Sequence, residues 1–391
     1  MRGRLASVDA TAGGATASPQ LFPGTLPALT SIRFVLALGV VLFHYHLQWP
    51  YQDVEVTGIF ERARLGVDAF FILSGFILTH VYDAELVERR FRYRRFLFAR
   101  AARIFPLHLA AVSMVVLMVL AAQAVGSSYN TEHYTLGGLG LTLLLMQAWF
   151  PIDTTMHWVG PSWSLSAEWF GYLLFPVFAW VGLRWRERPW LLLLLAAALF
   201  VGLDALYREL TGRILPHAEH YFGTMRLVPE FLYGIALYRL GQQVSLPRRS
   251  AILAALVSAT IVLAMMHLHV DDRFIVVAVG PMILSLALLS KVRADKLAGA
   301  RPLTFLGEAS FALYLVHMPV LITWKNIVAQ IFGVSSDYVM GLPELSALFA
   351  LTLAIACSAH LAIEAPARRY LRRAFDKRWA DPVSRSAVSA L

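Results

Sequence analysis

The chain is predicted to be all-α, a polytopic transmembrane helical bundle of about ten full spans plus one re-entrant or partial helix. Three observations predict this. The 391 residues are 58% hydrophobic and only 15% charged, with a mean hydropathy of +0.61, far more apolar than a soluble globule. The apolar residues form runs of membrane-spanning length along the whole chain. The Lys and Arg residues fall in short blocks between those runs, as in cytoplasmic loops of membrane proteins. The formal charge of +9 therefore does not point to nucleic acid. The single cysteine, Cys357, lies in an apolar run and allows no disulfide framework. Twelve histidines are present, but none shows H-E-x-x-H or other ligand spacing, so no metal is expected.

Residues 1–26, rich in Ala, Thr, Gly, Ser and Pro, lack a periodic apolar face and read as a disordered cytoplasmic tail. Arg2 and Arg4 have no apolar h-region beside them, so no cleavable signal is expected. Candidate spans follow near 28–47, 65–82, 104–125, 164–183, 190–206, 226–243, 250–269, 274–290, 304–323 and 345–365. The stretch 136–150 is shorter and led by glycines.

Loop charge orients the bundle. Seven arginines between the second and third spans (Arg89, Arg90, Arg92, Arg94, Arg95, Arg100, Arg103) place that loop in the cytoplasm. If 136–150 does not fully cross, the blocks Arg184 to Arg188, Arg248 with Arg249, Lys291 to Arg301 and Arg368 to Arg378 fall on the same side. The expected protein thus has both termini cytoplasmic, 136–150 buried in protein, segment 127–163 extracytoplasmic and a basic tail at 371–391. No internal repeat of the transporter kind is visible.

Ionisable residues inside apolar runs are costly, and are functional candidates by default. Arg33 and His44, eleven residues apart, share one helical face about 16 Å apart along the axis; the structural alternative is that Arg33 snorkels and His44 caps the far end. Asp68 opens the second span, either as a site residue or as an interfacial one. Ser74 and Gly75 within it permit close helix approach. Arg100 and Arg103 are neighbours on a helix, and paired guanidinium forks suit phosphates. Glu168 begins an apolar span after Pro161-Ser162-Trp163 and must be paired, neutral or exposed to a cavity. Glu230 raises the same question, with a local Arg226–Glu230 pair as its structural reading. Ser310, Tyr314 and His317, spaced four and three apart, share a face whose role is packing or chemistry.

Together these strings resemble the acyltransferase 3 family of integral membrane O-acyltransferases over about residues 27–370. They are Arg33 with ten residues before His44, Phe70 to Phe76 ending Ser-Gly-Phe, Arg100-x-x-Arg103 leading to Ile104 and Pro106, Trp163-Ser164-Leu165 with Glu168, and Tyr314-Leu315-Val316-His317. The resemblance implies transfer of an acyl group, commonly acetyl, from cytoplasmic acyl-CoA to a hydroxyl of a surface glycan or other acceptor. The catalytic set it implies is His44, Arg33 and Glu168; the substrate-binding set is Arg100, Arg103, Asp68, Ser74, Trp163, Glu230, Tyr314 and His317. His44 would take the hydroxyl proton or carry the acyl group, Arg33 would hold a phosphate or oxyanion, and Glu168 would orient His44 or bind the acceptor. No SGNH-type hydrolase domain is expected after the last span, so the acceptor would be acylated by the membrane domain or by a separate extracytoplasmic partner. The rivals are a proton-coupled transporter or flippase, a non-catalytic sensor or assembly factor, and acylation of a small-molecule or lipid acceptor.

Overall fold

A computed structural model describes residues 22–49, 57–124, 134–151, 158–335 and 338–379. The expected N-terminal tail thus lies outside the described residues except for 22–26, as do parts of 127–163 and the last twelve residues.

The helices are α1 (Pro27–His46), α2 (Ile59–Arg62), α3 (Gly66–Val87), α4 (Tyr93–Ala124), α5 (Leu136–Leu143), α6 (Ser162–Leu173), α7 (Phe175–Arg184), α8 (Pro189–Thr211), α9 (Gly223–Gln243), α10 (Arg248–His267), α11 (Asp272–Lys291), α12 (Arg301–Phe332), α13 (Leu342–Ala359) and α14 (Ala365–Trp379). A π-helical turn, His360–Glu364, joins the last two. Proline at the first turn presets α1, α8 and α12. Left-handed Gly212 and Gly333 end α8 and α12. Asp271 caps α11, accepting from the Arg273 backbone N–H at 3.0 Å. The Arg273 guanidinium bonds the same carboxyl and holds it below the usual carboxylate range.

Among the described residues eight helical segments are long and apolar enough to cross a membrane, and α6 with α7, bent by 59°, makes a ninth. The remaining expected span is α9, whose Arg226, Glu230 and Arg239 remove it from an apolar count although most of its residues are buried. It survives there because its arginines are paired by other helices: Arg226 with Asp68 of α3, and Arg239 Nη1 with Asp83 Oδ1 at 2.7 Å. Helix α4 begins eleven residues before the expected 104, because arginine continues a helix as readily as apolar residues do.

The stretch 136–150 is a partial helix. At eight residues α5 rises only about 12 Å, too little for a bilayer. The chain after it is tied to α6, where Gln147 Nε2 donates to Ser162 Oγ (2.9 Å), the Ala148 N–H to Ser166 Oγ (3.1 Å) and Trp149 Nε1 to the Ser166 carbonyl (3.0 Å). Non-helical backbone at membrane depth requires such internal partners.

The core is built by α9 against α3, α6, α8 and α11, and by α1 against α12 and α3. Connections gather at two ends. At one, Lys291 Nζ donates to the Gly241 carbonyl (2.6 Å), Gln243 to the Glu187 carbonyl (3.3 Å) and Ser31 to the Ala298 carbonyl (2.5 Å). At the other, Arg62 reaches the Val270 carbonyl (3.2 Å), Arg64 the Pro216 carbonyl (3.2 Å) and the Met340 N–H the Gln48 carbonyl (2.9 Å).

Candidate active site

Five helices converge on a cavity of about 150 Å³. Helix α1 supplies Arg33, α3 Ser74, α4 Arg100 and Arg103, and α6 Glu168 and Tyr172; Ser310 and Tyr314 of α12 line it as well. Arg33 lies in the second turn of α1, and Arg100 and Arg103 lie two to three turns into α4, so all three approach from the same end of the bundle. Arg100 and Arg103 share a face by their i,i+3 spacing.

Glu168 is the only carboxylate among the lining residues. Its Oε1 accepts from Ser74 Oγ (2.6 Å) and from the Tyr172 hydroxyl (2.5 Å). Both neighbours are neutral, so no guanidinium hydrogen-bonds this carboxylate among the described residues. The Arg100 Nε is buried without a hydrogen-bond partner, and its guanidinium lies 6.0 Å from the Tyr172 ring centre. Three guanidiniums thus face one space with one carboxylate between them. An excess of cations in a low-dielectric interior calls for an anion to neutralise it, and the fork geometry of arginine suits phosphate or carboxylate oxygens. Tyr172 escaped the sequence reading, although its i+4 spacing from Glu168 was the available signal.

A second cluster lies further along α1. His317, fully buried in α12, sits with its Nε2 3.2 Å from His44 Nδ1. The His44 Nδ1 is also 2.9 Å from the Val40 carbonyl, and the His317 Nδ1 2.6 Å from the Tyr314 carbonyl. Carbonyls only accept, so each Nδ1 carries the proton and His317 Nε2 accepts from His44. That network leaves His44 Nε2 as the unprotonated, basic nitrogen. Tyr314 joins the two clusters: it lines the arginine cavity, bonds Ser164 Oγ at 2.7 Å and the Pro161 carbonyl at 3.0 Å, and its ring centre is 5.9 Å from that of His317.

Not every expected residue joins these clusters. Glu168 bonds Ser74 and Tyr172, and the His44 ring lies against those of His317 and Phe43. Asp68, Trp163 and Glu230 are absent from the cavity lining. Asp68 is forked by Arg226 through its Nε (2.8 Å) and Nη2, and the Arg226 guanidinium stacks 5.3 Å from the Trp163 ring centre. Arg226 therefore pairs across helices rather than with Glu230, whose carboxylate oxygens are buried without a hydrogen-bond partner. Among the described residues no group of three His, Cys, Asp or Glu side chains is placed to hold a metal.

The helical bundle with its cationic cavity and histidine pair fits a membrane-embedded transferase, and the chain belongs to the Acyltransferase domain family (acyltransferase 3), which residues 26–361 match. It is a membrane acyltransferase, and the transporter and sensor alternatives give way. The chain is 31% identical over 384 residues to Acyltransferase MdmB of Streptomyces mycarofaciens, covering 89% of this chain and 93% of that protein. It is 24% identical over 337 residues to O-acetyltransferase OatA of Staphylococcus aureus, covering 79% of this chain and 52% of that one. Over 361 residues it is 23% identical to Peptidoglycan O-acetyltransferase OatA of Listeria monocytogenes, covering 83% and 55%. The chain spans about half the length of these two OatA proteins. No solved structure matches it.

Proposed function

We propose that the chain is an O-acetyltransferase of the plasma (inner) membrane, moving an acetyl group from cytoplasmic acetyl-CoA to a hydroxyl of a cell-surface polysaccharide, lipopolysaccharide or related glycan. The observation that carries the reading is the cavity in which Arg33, Arg100 and Arg103 face a single carboxylate. A CoA donor brings phosphate charge to match that excess. In this reading residues 27–370 form the acyltransferase 3 membrane domain, flanked by cytoplasmic tails at 1–26 and 371–391, with both termini inside. The donor and the acceptor are substrates, and the chemistry needs no metal.

The chemistry follows from the histidine pair. The acceptor hydroxyl oxygen attacks the thioester carbonyl carbon while His44 Nε2 takes its proton. Positive charge developing on His44 is shared through Nδ1–H with the Val40 carbonyl and His317. Collapse of the tetrahedral intermediate breaks the C–S bond, and the departing thiolate recovers the proton from His44. Arg33 holds the pantetheine phosphate, and Arg100 and Arg103 hold the polyanionic end of the donor. Glu168, fixed by Ser74 and Tyr172, orients the acceptor. Arg33 and His44 are about 16 Å apart along α1, a gap an extended pantetheine arm bridges. A full-length match to a relative whose name specifies no glycan keeps a small-molecule or lipid acceptor as the second reading.

The test compares deletion and complemented cells by mass spectrometry of both surface glycans and organic extracts. Loss of acetyl ester from the glycan fraction supports the reading. Loss from a small molecule or lipid instead moves the acceptor class and leaves the donor half standing, whereas unchanged esters in both fractions overturn it.

A further inference from the structure

The loop 218–222, between the turn Leu215–His217 and α9, brings a further carboxylate to the histidine pair. His44 lies in the last turn of α1, at the end of the bundle where Arg64 reaches the Pro216 carbonyl, and the loop continues from that point. A run of contacts connects the two. His44 meets His317 (3.2 Å), whose ring centre is 5.9 Å from that of Tyr314, and Tyr314 bonds Ser164 Oγ (2.7 Å). The adjoining Trp163 stacks 5.3 Å from the Arg226 guanidinium, and Arg226 Nη1 donates to the Ala218 carbonyl (3.4 Å). Glu219 is the next residue, and its charge acts on His44, Tyr314 and Arg226.

The backbone of this loop is fixed while the Glu219 side chain is not. The Leu215 N–H donates to Asp204 Oδ1 (2.8 Å), Tyr221 forms an antiparallel bridge with Pro151, and the Thr224 N–H donates to the Ala148 carbonyl (3.4 Å). Phe222 is held in the left-handed region (φ 53°), where a non-glycine residue persists only if its surroundings over-determine it. Glu219 itself is partly exposed and makes no hydrogen bond or ion pair among the described residues. Other carboxylates are already engaged: Arg226 pairs with Asp68, Arg64 with Asp272, Arg273 with Asp204 and Asp271, and Glu168 accepts from Ser74 and Tyr172. An ionised carboxylate only accepts hydrogen bonds, so its ligand has to bring donors. The hydroxyl that His44 deprotonates gives up its own proton, which leaves a neighbouring hydroxyl as the donor.

We propose that Glu219 binds the acceptor, its carboxylate accepting from a hydroxyl that flanks the one attacked, and so selects acceptors with a vicinal diol, the arrangement found in sugars. The proposal rests on the reading of His44 as the base for the acceptor hydroxyl and deepens it by naming a specificity-determining residue on the acceptor side. A lone alcohol would leave the carboxylate desolvated and unpaired, the kind of mismatch against which polar sites discriminate most strongly.

The experiment measures transfer of radiolabelled acetyl from acetyl-CoA by the full chain in nanodiscs to two probes, trans-1,2-cyclohexanediol and cyclohexanol, which differ by the flanking hydroxyl alone. Wild-type protein should favour the diol by at least about tenfold in kcat/KM, the scale of one hydrogen bond to a charged group. Glu219→Ala should bring the ratio close to unity by raising KM for the diol, and Glu219→Gln, which keeps size and loses charge, should fall between. Loss of fold lowers both rates and keeps their ratio. Equal use of the two probes by wild type overturns the proposal, as does a preference that persists in Glu219→Ala or transfer to neither probe. His44→Ala separates the two readings. Transfer at the wild-type rate in that variant removes the base and the proposal with it, whereas its loss together with equal use of the probes by wild type overturns the proposal alone.

Discussion

In the proposed mechanism His44 is oriented by a neighbour 273 positions away, His317. With Nδ1–H shared between Val40 and His317, the imidazole is fixed in one tautomer and one orientation, which a general base requires. Replacing His44 by Ala should lower acyl transfer by about 10²- to 10⁴-fold, the usual worth of a positioned base, with the variant still folded and inserted. Transfer of radiolabelled acetyl groups in membranes reads this out, and turnover at the wild-type rate removes His44 from the mechanism. The arginines act on a different parameter. Arg100→Ala and Arg103→Ala should each weaken acetyl-CoA binding by roughly 1.5 to 3 kcal/mol, in a salt-sensitive way, because each removes a charge-assisted contact. Calorimetric titration in detergent with unchanged CoA affinity in both variants would leave the pair as orientation signals only.

Helices α3 and α9 meet through reciprocal glycines, and that contact holds Ser74 against Glu168. A Cβ built on Gly75 would lie 2.0 Å from the Phe231 carbonyl oxygen, and one on Gly234 2.0 Å from the Ile72 carbonyl oxygen. Both collisions are with backbone, so neither is relieved by a rotamer change. Gly75→Ala and Gly234→Ala should each destabilise the protein by about 1 to 3 kcal/mol and lower its thermal midpoint in detergent. Gly137→Ala, where a Cβ meets nothing within 4 Å, serves as the control. Equal midpoints for all three variants would mean that the helices separate at no cost. The Ser74-Gly75 step pointed to this contact because small residues permit close approach. The helix it meets was visible as an apolar run at 226–243, but the partners of its buried arginines were not: Asp68 and Asp83 of α3 pair with Arg226 and Arg239.

At the scale of the molecule, hydropathy carried the helical bundle, because it is a local property that a bilayer reads directly. Which polar groups meet is not local. The Asp68–Arg226 fork joins residues 158 apart, and spacing along one helix placed Arg226 beside Glu230 instead. Spacing did place Arg33 and His44 on one face, but it could not divide them between the arginine cavity and the histidine pair. The same long-range order sets the remaining prediction, sidedness. Since connections gather at two ends, one reporter at each end decides the orientation of the whole bundle. Glu187, in the α7–α8 connection, belongs to the end with Gln243 and Lys291, whereas Arg213 follows Gly212 near Pro216 at the end that Arg64 reaches; both side chains are exposed. In a Cys357→Ser background, Arg213→Cys should react with a membrane-impermeant maleimide in intact cells whose outer barrier, if any, has been opened. Glu187→Cys should react only after lysis, with a permeable maleimide controlling for burial at both sites. The reverse pattern would put the arginine cavity on the extracytoplasmic side, out of reach of cytoplasmic CoA, and the donor would then have to be something other than acetyl-CoA from the cytoplasm.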